Sequence, residues 1–430
     1  MKKSFSIGIA GLGNVGSATV KLIQENSNLI NARAGIPVKI VAVSARKSSM
    51  KRKIKISEYD WENDVLNLSD REDIDAVVEL IGGADGIAKS LVMSSLKKGK
   101  TVITANKALL ALHSTKINKI IMAQKTGFYF EAAVASAIPI INAINTGISS
   151  NQIKHIKAIL NGTCNFILSD MKENNSSFSV ALKKAQKLGF AESNPNFDIE
   201  GVDAAQKLSI LGMLAFGVQP KLNNIYTEGI EKISNLDITY SERLGYSIKL
   251  FCIANLNNSI LDFRVHPALI TTNSIASHVR GALNAVFIEG DYSNKLTFIG
   301  EGAGPNPTAS SVVSDIISAA INRNNNNNNL LNNVTEYPYK SINERVGPYY
   351  IRFLVADVRG VIASITSCLN KNDISLDSII QDGKTTGESQ AHIVVITHKT
   401  KENNIIKAIA LIRKMDTVLI EPQVIRVEEI

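Results

Sequence analysis

Two lysines and three carboxylates stand where they could do chemistry. Residues 202–216 spread Ala204, Ala205, Leu208, Ile210, Leu211, Met213, Leu214, Ala215 and Phe216 over every side of a 3.6-residue turn, which predicts a helix buried all round. Asp203 and Lys207 are its charged members. Four apart, they share a face and can pair, and a buried charge is costly unless it is paired or used. A structural ion pair and a catalytic lysine held by an aspartate both meet that condition. Just upstream, Glu192 and Asp198 lie in Ala191-Glu192-Ser193-Asn194-Pro195-Asn196-Phe197-Asp198, a turn-rich segment able to fold back over the helix start. Three carboxylates beside one lysine suit a substrate with an ammonium group and a polarisable oxygen; a solvated acidic loop is the alternative. The second lysine, Lys107, ends Thr104-Ala105-Asn106-Lys107 after a strand at 101–103. Ligands gather at the carboxyl ends of parallel strands, so Thr104 and Lys107 face a crevice unless Lys107 merely opens a surface helix.

The elements that must position these groups begin with a short apolar strand at 4–10. It runs into Gly11-Leu12-Gly13-Asn14-Val15-Gly16 and a helix at 17–25. Gly11, Gly13 and Gly16 allow the tight turn, the close approach of backbone to pyrophosphate and the packing of helix on strand. The helix N-terminus then offers free N–H groups to phosphate, with Asn14 and Val15 in the turn that leads to it. The second strand, 38–43, ends in Ser44-Ala45-Arg46-Lys47 with no acid to bind ribose hydroxyls, so Arg46 and Lys47 favour NADP over NAD. Strands at 76–81 and 101–103 flank a helix at 86–98, which is the βαβ rhythm of a parallel sheet.

Beyond a strand-like 128–130, the small residues of 131–139 permit close packing, and their carbonyls could face a hard cation. A strand at 153–160 leads to an Asn161-Gly162 turn and a helix at 181–188. β-like runs at 251–255, 261–265 and 283–288 predict a second α+β domain. His266 and His278 have no partners at metal spacing. Gly300-Glu301-Gly302-Ala303-Gly304 is a further glycine turn before a helix at 308–320, so Glu301 and Gly302 return the chain towards the nucleotide. The asparagine cluster at 324–329 reads as a linker, and 350–427 carries a βαββαβ order typical of a ferredoxin-like module. The expected organisation is a dinucleotide-binding domain at 1–135 completed by about 301–321, a substrate domain at 136–300, a linker at 322–345 and a tethered regulatory module at 346–430.

Composition excludes other classes. With 430 residues, 45% hydrophobic and 20% charged, the chain has ample core material and no apolar run near the ~20 residues of a membrane span. Cys164, Cys252 and Cys368 are scattered, which fits a reducing cytoplasm. The net charge of +8 is dispersed among acids, so neither nucleic acid nor a membrane surface is the expected partner.

Gly11-Leu12-Gly13-Asn14-Val15-Gly16, Val78-Glu79-Leu80-Ile81-Gly82-Gly83, Thr104-Ala105-Asn106-Lys107-Ala108-Leu109, Leu160-Asn161-Gly162-Thr163, the stretch 191–207, and Gly302-Ala303-Gly304 with Pro307-Thr308-Ala309-Ser310 together make the chain resemble homoserine dehydrogenase along almost its whole length. The resemblance implies an α/β fold: a Rossmann-type parallel sheet, an α+β catalytic and dimerisation domain, and a C-terminal ferredoxin-like ACT module. It implies reversible, NAD(P)H-dependent reduction of L-aspartate 4-semialdehyde to L-homoserine. Lys107 and Lys207 then map onto the catalytic lysines, and Glu192, Asp198 and Asp203 onto the substrate carboxylates, with Asn161, Gly162 and Thr163 beside them. A monovalent cation, Na+ or K+, maps near Glu131, Val134, Ser136 and Ile138. The ACT module implies an amino-acid effector, threonine, with Asp357, Asn372 and Gln381 as polar candidates, and a homodimer or homotetramer. Cys164, Asn194 and Arg359 depart from the family pattern, the last where effector binding is at stake. Two other readings remain at this point: a Cys164-dependent semialdehyde dehydrogenase using His155, and a non-catalytic nucleotide and amino-acid sensor.

Overall fold

Six short strands form an all-parallel sheet in the order β3-β2-β1-β4-β5-β6, with β1 at Phe5–Ala10, β2 at Val38–Ser44, β3 at Asp60–Trp61, β4 at Ala76–Glu79, β5 at Thr101–Thr104 and β6 at Phe128–Tyr129. The structure, a computed structural model, describes residues 4–48, 50, 52, 54–219, 221–324, 335–383 and 390–429. Helices α1 (Asn14–Glu25), α2 (Ser27–Ala34), α3 (Ile87–Lys97) and α4 (Lys107–Gln124) connect the strands. Ile7, Ile9, Val20, Val43, Val78 and Ile103 share one core with Val312, Ile316 and Ala320 of the distant helix Pro305–Ile321. Burial on both sheet faces explains why these strands read as continuous apolar runs.

The chain divides into two compact units. Met1–Ile156, Asp203–Asn224 and Asn284–Tyr337 form the first; Lys157–Val202, Ile225–Leu283 and Pro338–Ile430 form the second. In the second, Tyr246–Asn257 and Ile260–Thr271 pair as a long antiparallel hairpin, and Asn258 and Ser259 at its tip take the positive φ that tight two-residue hairpin turns require. These strands, at 12 residues each, are more than twice the length expected from the sequence, because their buried positions continue through Lys249 and His266, which polarity alone marks as exposed.

The tail is not a module on a tether. Its βαββαβ order is present, but its last strand, Gln423–Val427, runs parallel to Ile260–Thr271, with Ala268 opposite Arg426. Tyr349–Ala356 pairs with Gln423–Val427, Gln390–Thr397 with Tyr349–Ala356, and Leu376–Gly383 with Gln390–Thr397, so the tail continues the hairpin's sheet. One face of Tyr349–Ala356 packs Tyr349, Ile351 and Phe353 into the tail's own core. The other turns Tyr350 and Arg352 onto Asp237, the fully buried N3 residue of a capping box that opens the helix Asn235–Arg243. Residues 325–334 of the expected linker lie outside the described residues, but its later part is pinned: Leu261 N–H donates to the Pro338 carbonyl, and Lys340 N–H to the Leu261 carbonyl. The sequence pattern also hides elements that border the functional residues. Gly162–Asn174 is a helix, its apolar periodicity masked by Asn165, Ser169 and Asp170, and Asn294–Glu301 is a strand that carries Gly300 and Glu301.

Candidate active site

The glycine turn is shaped by contacts that tolerate no side chain. A Cβ on Gly16 would stand 1.9 Å from the Gly11 carbonyl oxygen, and one on Gly11, at φ +101°, 2.5 Å from that of Leu80. Gly13 is the opposite case: nothing lies within 4 Å of the Cβ position, so the backbone there is open to a ligand. It precedes α1 without a side-chain cap, leaving the helix start with Asn14, Val15 and Gly16 to receive an anion. Gly11 N–H donates to the Ser44 carbonyl at 2.8 Å, which ties the turn to the end of β2, and Arg46 and Lys47 follow there, exposed. Glu301 is exposed, whereas Gly302 is buried against Asn284, whose Oδ1 would lie 1.6 Å from an added Cβ.

Lys107 is placed by a buried polar chain that begins at Glu79. Its carboxylate, fully buried at the end of β4, accepts from the Ile81 and Gly82 N–H groups at 2.8 and 2.9 Å and from the Thr104 hydroxyl at 2.6 Å. Thr104 Oγ1 accepts from Asn106 N–H, Asn106 Nδ2 donates to the Gly83 carbonyl, and Asn106 Oδ1 caps α4 by accepting from Leu109 N–H. Lys107 is the first residue of that helix. Glu79 and Asn106 were not singled out as functional from sequence; a carboxylate inside an otherwise apolar parallel strand was the available signal.

Helix Val202–Phe216 brings the second lysine to the same carboxylate as the first. Asp203 Oδ2 accepts from Lys207 Nζ at 2.8 Å, and Asp203 Oδ1 lies 3.2 Å from Lys107 Nζ. Asp203 is 4% exposed and Lys207 8%, so a buried carboxylate links two ammonium groups. Concentrated positive charge in a largely water-excluded place suits an oxygen that becomes negative during reaction.

In the second unit, Asn161 caps the helix Gly162–Asn174 with Oδ1 to Cys164 N–H and donates from Nδ2 to Asp198 Oδ1 at 2.8 Å. Thr163 Oγ1 donates to the Phe190 carbonyl at 2.6 Å and lies 3.4 Å from Asp198 Oδ2. Gly162 is pressed on the Ala282 carbonyl oxygen, 2.7 Å from where a Cβ would be. Asn161, Gly162, Thr163 and Asp198 are thus one cluster. Glu192 is exposed, and the contact at that residue is its carbonyl, which accepts from Gln186 Nε2. The Cys164 thiol is fully buried and donates to the Asp198 carbonyl at 3.2 Å, which makes it a support for that turn and a poor nucleophile.

Segment 131–138 is a turn, buried except at Ala137, in which Ala135 and Ser136 take positive φ without being glycine. Glu131 accepts Ile141 and Asn142 N–H on its two carboxylate oxygens, and burial raises its carboxyl above the usual range. Its own N–H donates to Asp315, and Ser136 meets Thr308 and Ser311. Among the described residues no group of three or more His, Cys, Asp or Glu could hold a metal, so any cation at Glu131, Val134, Ser136 and Ile138 would rest on carbonyl oxygens. In the tail, Asp357 and Gln381 line a cavity of about 470 Å³ with Arg359 and Gly360. Asn372 is not among the residues that line this cavity. It ends the helix Val361–Lys371, whose first residues line the cavity, and its Nδ2 donates to the Cys368 carbonyl.

Comparison with known proteins agrees along the whole chain. Residues 139–317 match the family model for homoserine dehydrogenase, 11–131 that for the homoserine dehydrogenase NAD-binding domain and 349–416 that for the ACT domain. A Helicobacter pylori homoserine dehydrogenase is 42% identical over 428 residues, covering all of both chains, and a Pseudomonas aeruginosa one is 37% identical with the same coverage. The crystal structure of a homoserine dehydrogenase from Thiobacillus denitrificans superposes with a TM-score of 0.92 at 37% identity over 99% of both chains. A hyperthermophilic archaeal homoserine dehydrogenase solved with NADPH shares the fold, with a TM-score of 0.64 at 24% identity over 74% of this chain and 98% of its own. The non-catalytic and cysteine-dependent readings fall with these matches, and the chain belongs to the homoserine dehydrogenase family, NAD(P)-dependent oxidoreductases, with an ACT domain at its C-terminus.

Proposed function

We propose that Lys207 and Lys107, joined through Asp203, carry the chemistry of aspartate semialdehyde reduction, with NADPH as the preferred cofactor. The glycine turn at Gly11, Gly13 and Gly16 would hold the dinucleotide, whose nicotinamide would supply hydride to the aldehyde carbon. The lysine ammonium groups stabilise the alkoxide that forms on the carbonyl oxygen, and one of them gives it a proton. Asp203 orients both, and Asp198 with Glu192 binds the substrate's amino group. The observation that carries this reading is the shared carboxylate: Asp203 lies 2.8 Å from one lysine and 3.2 Å from the other. Arg46 and Lys47 at the end of β2 support NADP over NAD, because no acid follows that strand. Backbone carbonyls of Glu131, Val134, Ser136 and Ile138 suit a monovalent cation in kind, since the Glu131 carboxylate is already engaged by two N–H groups. The tail cavity takes an amino-acid effector, threonine, and the enzyme works in the cytoplasm as a homodimer or homotetramer; among the described residues no helix is long and apolar enough to cross a membrane.

The test is loss of NADPH absorbance when purified protein meets L-aspartate 4-semialdehyde. Turnover that survives intact in both Lys207→Ala and Lys107→Ala would remove the lysine pair from the mechanism.

A further inference from the structure

The last strand of the tail delivers an arginine to the segment that backs Asp198. Arg426, 6% exposed, spreads its guanidinium between two acidic partners. Nε and Nη2 donate to Glu402 at 3.0 and 2.5 Å. Nη1 donates to Glu228 Oε2 at 2.6 Å, and Nη2 to the Tyr226 hydroxyl oxygen at 2.9 Å. Tyr226 in turn donates to Glu228 at 2.8 Å, and its ring centroid lies 4.8 Å from the Arg426 guanidinium carbon. Charge-assisted bonds of this kind, made away from water, are strong and directional.

Glu228 leads directly into backbone that interlocks with the Asp198 turn. Ile230 N–H donates to the Ile199 carbonyl at 2.9 Å. A Cβ on Gly229 would stand 2.3 Å from that same carbonyl oxygen and 2.7 Å from Glu200 Cα. From the other side Gly201, at φ +84°, would bring a Cβ within 3.2 Å of both Thr227 and Val265. Residues 227–230 and 199–201 therefore leave no slack, so a displacement at Glu228 reaches Ile199 through backbone. Ile199 adjoins Asp198, whose carboxylate Asn161 holds.

We infer that Glu228 and Arg426 are positioning residues for Asp198, so the tail module supports the substrate cluster in addition to any effector it binds. The inference rests on the assignment of Asp198 to the substrate's amino group. Asp198→Asn, measured beside the other variants, separates failure of that assignment from failure of the coupling.

The experiment is steady-state kinetics of the full-length enzyme with both substrates varied. Glu228→Gln is expected to raise KM for aspartate semialdehyde about tenfold, the scale of one charge-assisted contact, with KM for NADPH unchanged. Tyr226→Phe keeps the ring and its packing, so it tests the same link where the glutamine variant fails to fold, and its expected effect is smaller and in the same direction. The double variant should be no worse than Glu228→Gln alone, because both act through one contact. Unchanged semialdehyde KM in Glu228→Gln and Tyr226→Phe, while Asp198→Asn raises it, overturns the coupling. So does a parallel rise in both KM values that follows a fall in thermal midpoint, which is the mark of a merely structural role. An unchanged KM in Asp198→Asn removes the assignment beneath it, and a wild-type enzyme without semialdehyde turnover removes the functional reading itself.

Discussion

Asp203 accepts from Lys207 one helical turn further along, at 2.8 Å, inside a helix whose other buried residues are mostly apolar. Its second oxygen keeps Lys107 at 3.2 Å, so removing one lysine still leaves the buried carboxylate facing the other. That geometry separates catalysis from folding. Lys207→Ala and Lys107→Ala are each expected to lower kcat by ~10²-fold or more, the usual size of an acid–base or electrostatic contribution, while circular dichroism and thermal midpoint stay near those of the parent. Asp203→Ala takes the carboxylate from both lysines at once and is expected to cost stability as well as rate. A large fall in midpoint for either lysine variant, with kcat preserved, would mark the pair as structural.

Arg46 bears on cofactor choice. It is exposed two residues beyond Ser44, whose carbonyl accepts from Gly11 N–H in the phosphate turn. Arg46→Ala should therefore raise KM for NADPH by roughly tenfold or more, as the loss of a charge-assisted phosphate contact of about 1.5–3 kcal/mol implies, and spare KM for NADH. Equal losses with both cofactors would sink the assignment.

How much of this was legible in the sequence depends on range. The glycine turn could be read because its constraints are local: Gly16 faces the Gly11 carbonyl five residues away. The Asp203–Lys207 pair could be read because helix geometry puts i and i+4 together. Lys107 could be placed at a strand end, but not on Asp203, since nothing at 107 encodes a partner 96 residues downstream. The tail was misread for the same reason. Its βαββαβ order is self-contained, and a ferredoxin-like pattern gives no sign that Arg426 will sit opposite Ala268 in another sheet. Long-range strand pairing leaves its trace as buried charge, such as Arg264, Arg345 and Arg426, which composition cannot tell from a solvated face.

Lys249 offers a test in pH. Its ammonium group is buried between Asn165 Oδ1 at 2.9 Å and the Val279 carbonyl at 2.5 Å, and burial, with Lys172 and Arg280 nearby, pulls its pKa from an ordinary 10.5 down to about 8. Between those values the folded chain holds fewer protons than the unfolded one, so this group's contribution to stability rises with pH across that window. The urea unfolding free energy of the parent should gain on that of Lys249→Met by up to about 1.4 kcal/mol per pH unit above pH 8. Parallel pH profiles for the two proteins would show that the ammonium is not desolvated.

The tail changes what truncation should do. A tethered module could be cut away at Ala320 with loss of feedback alone. Here such a cut removes Gln423–Val427 from the edge of Ile260–Thr271, takes Arg352 from the fully buried Asp237, and takes Arg426 from Glu228. A buried carboxylate that loses its guanidinium costs about 3–5 kcal/mol, which is a large part of a domain's stability. The shortened chain is therefore expected to precipitate or to melt many degrees lower, and not to survive as a desensitised enzyme. Regulation is better probed by a side chain that lines the cavity and lies outside the supporting network. Gln381 is exposed on the cavity wall with Asp357 and Arg359. Gln381→Ala is expected to raise the threonine concentration needed for half-inhibition about tenfold, the scale of a lost hydrogen bond to a charged ligand, with kcat and thermal midpoint unchanged. Asn372→Ala, at the far end of the helix Val361–Lys371, should leave inhibition as it is. If threonine changes neither the rate nor the thermal midpoint of the full-length enzyme, the cavity does not serve that effector, and the module's contribution reduces to the support it gives the Asp198 turn.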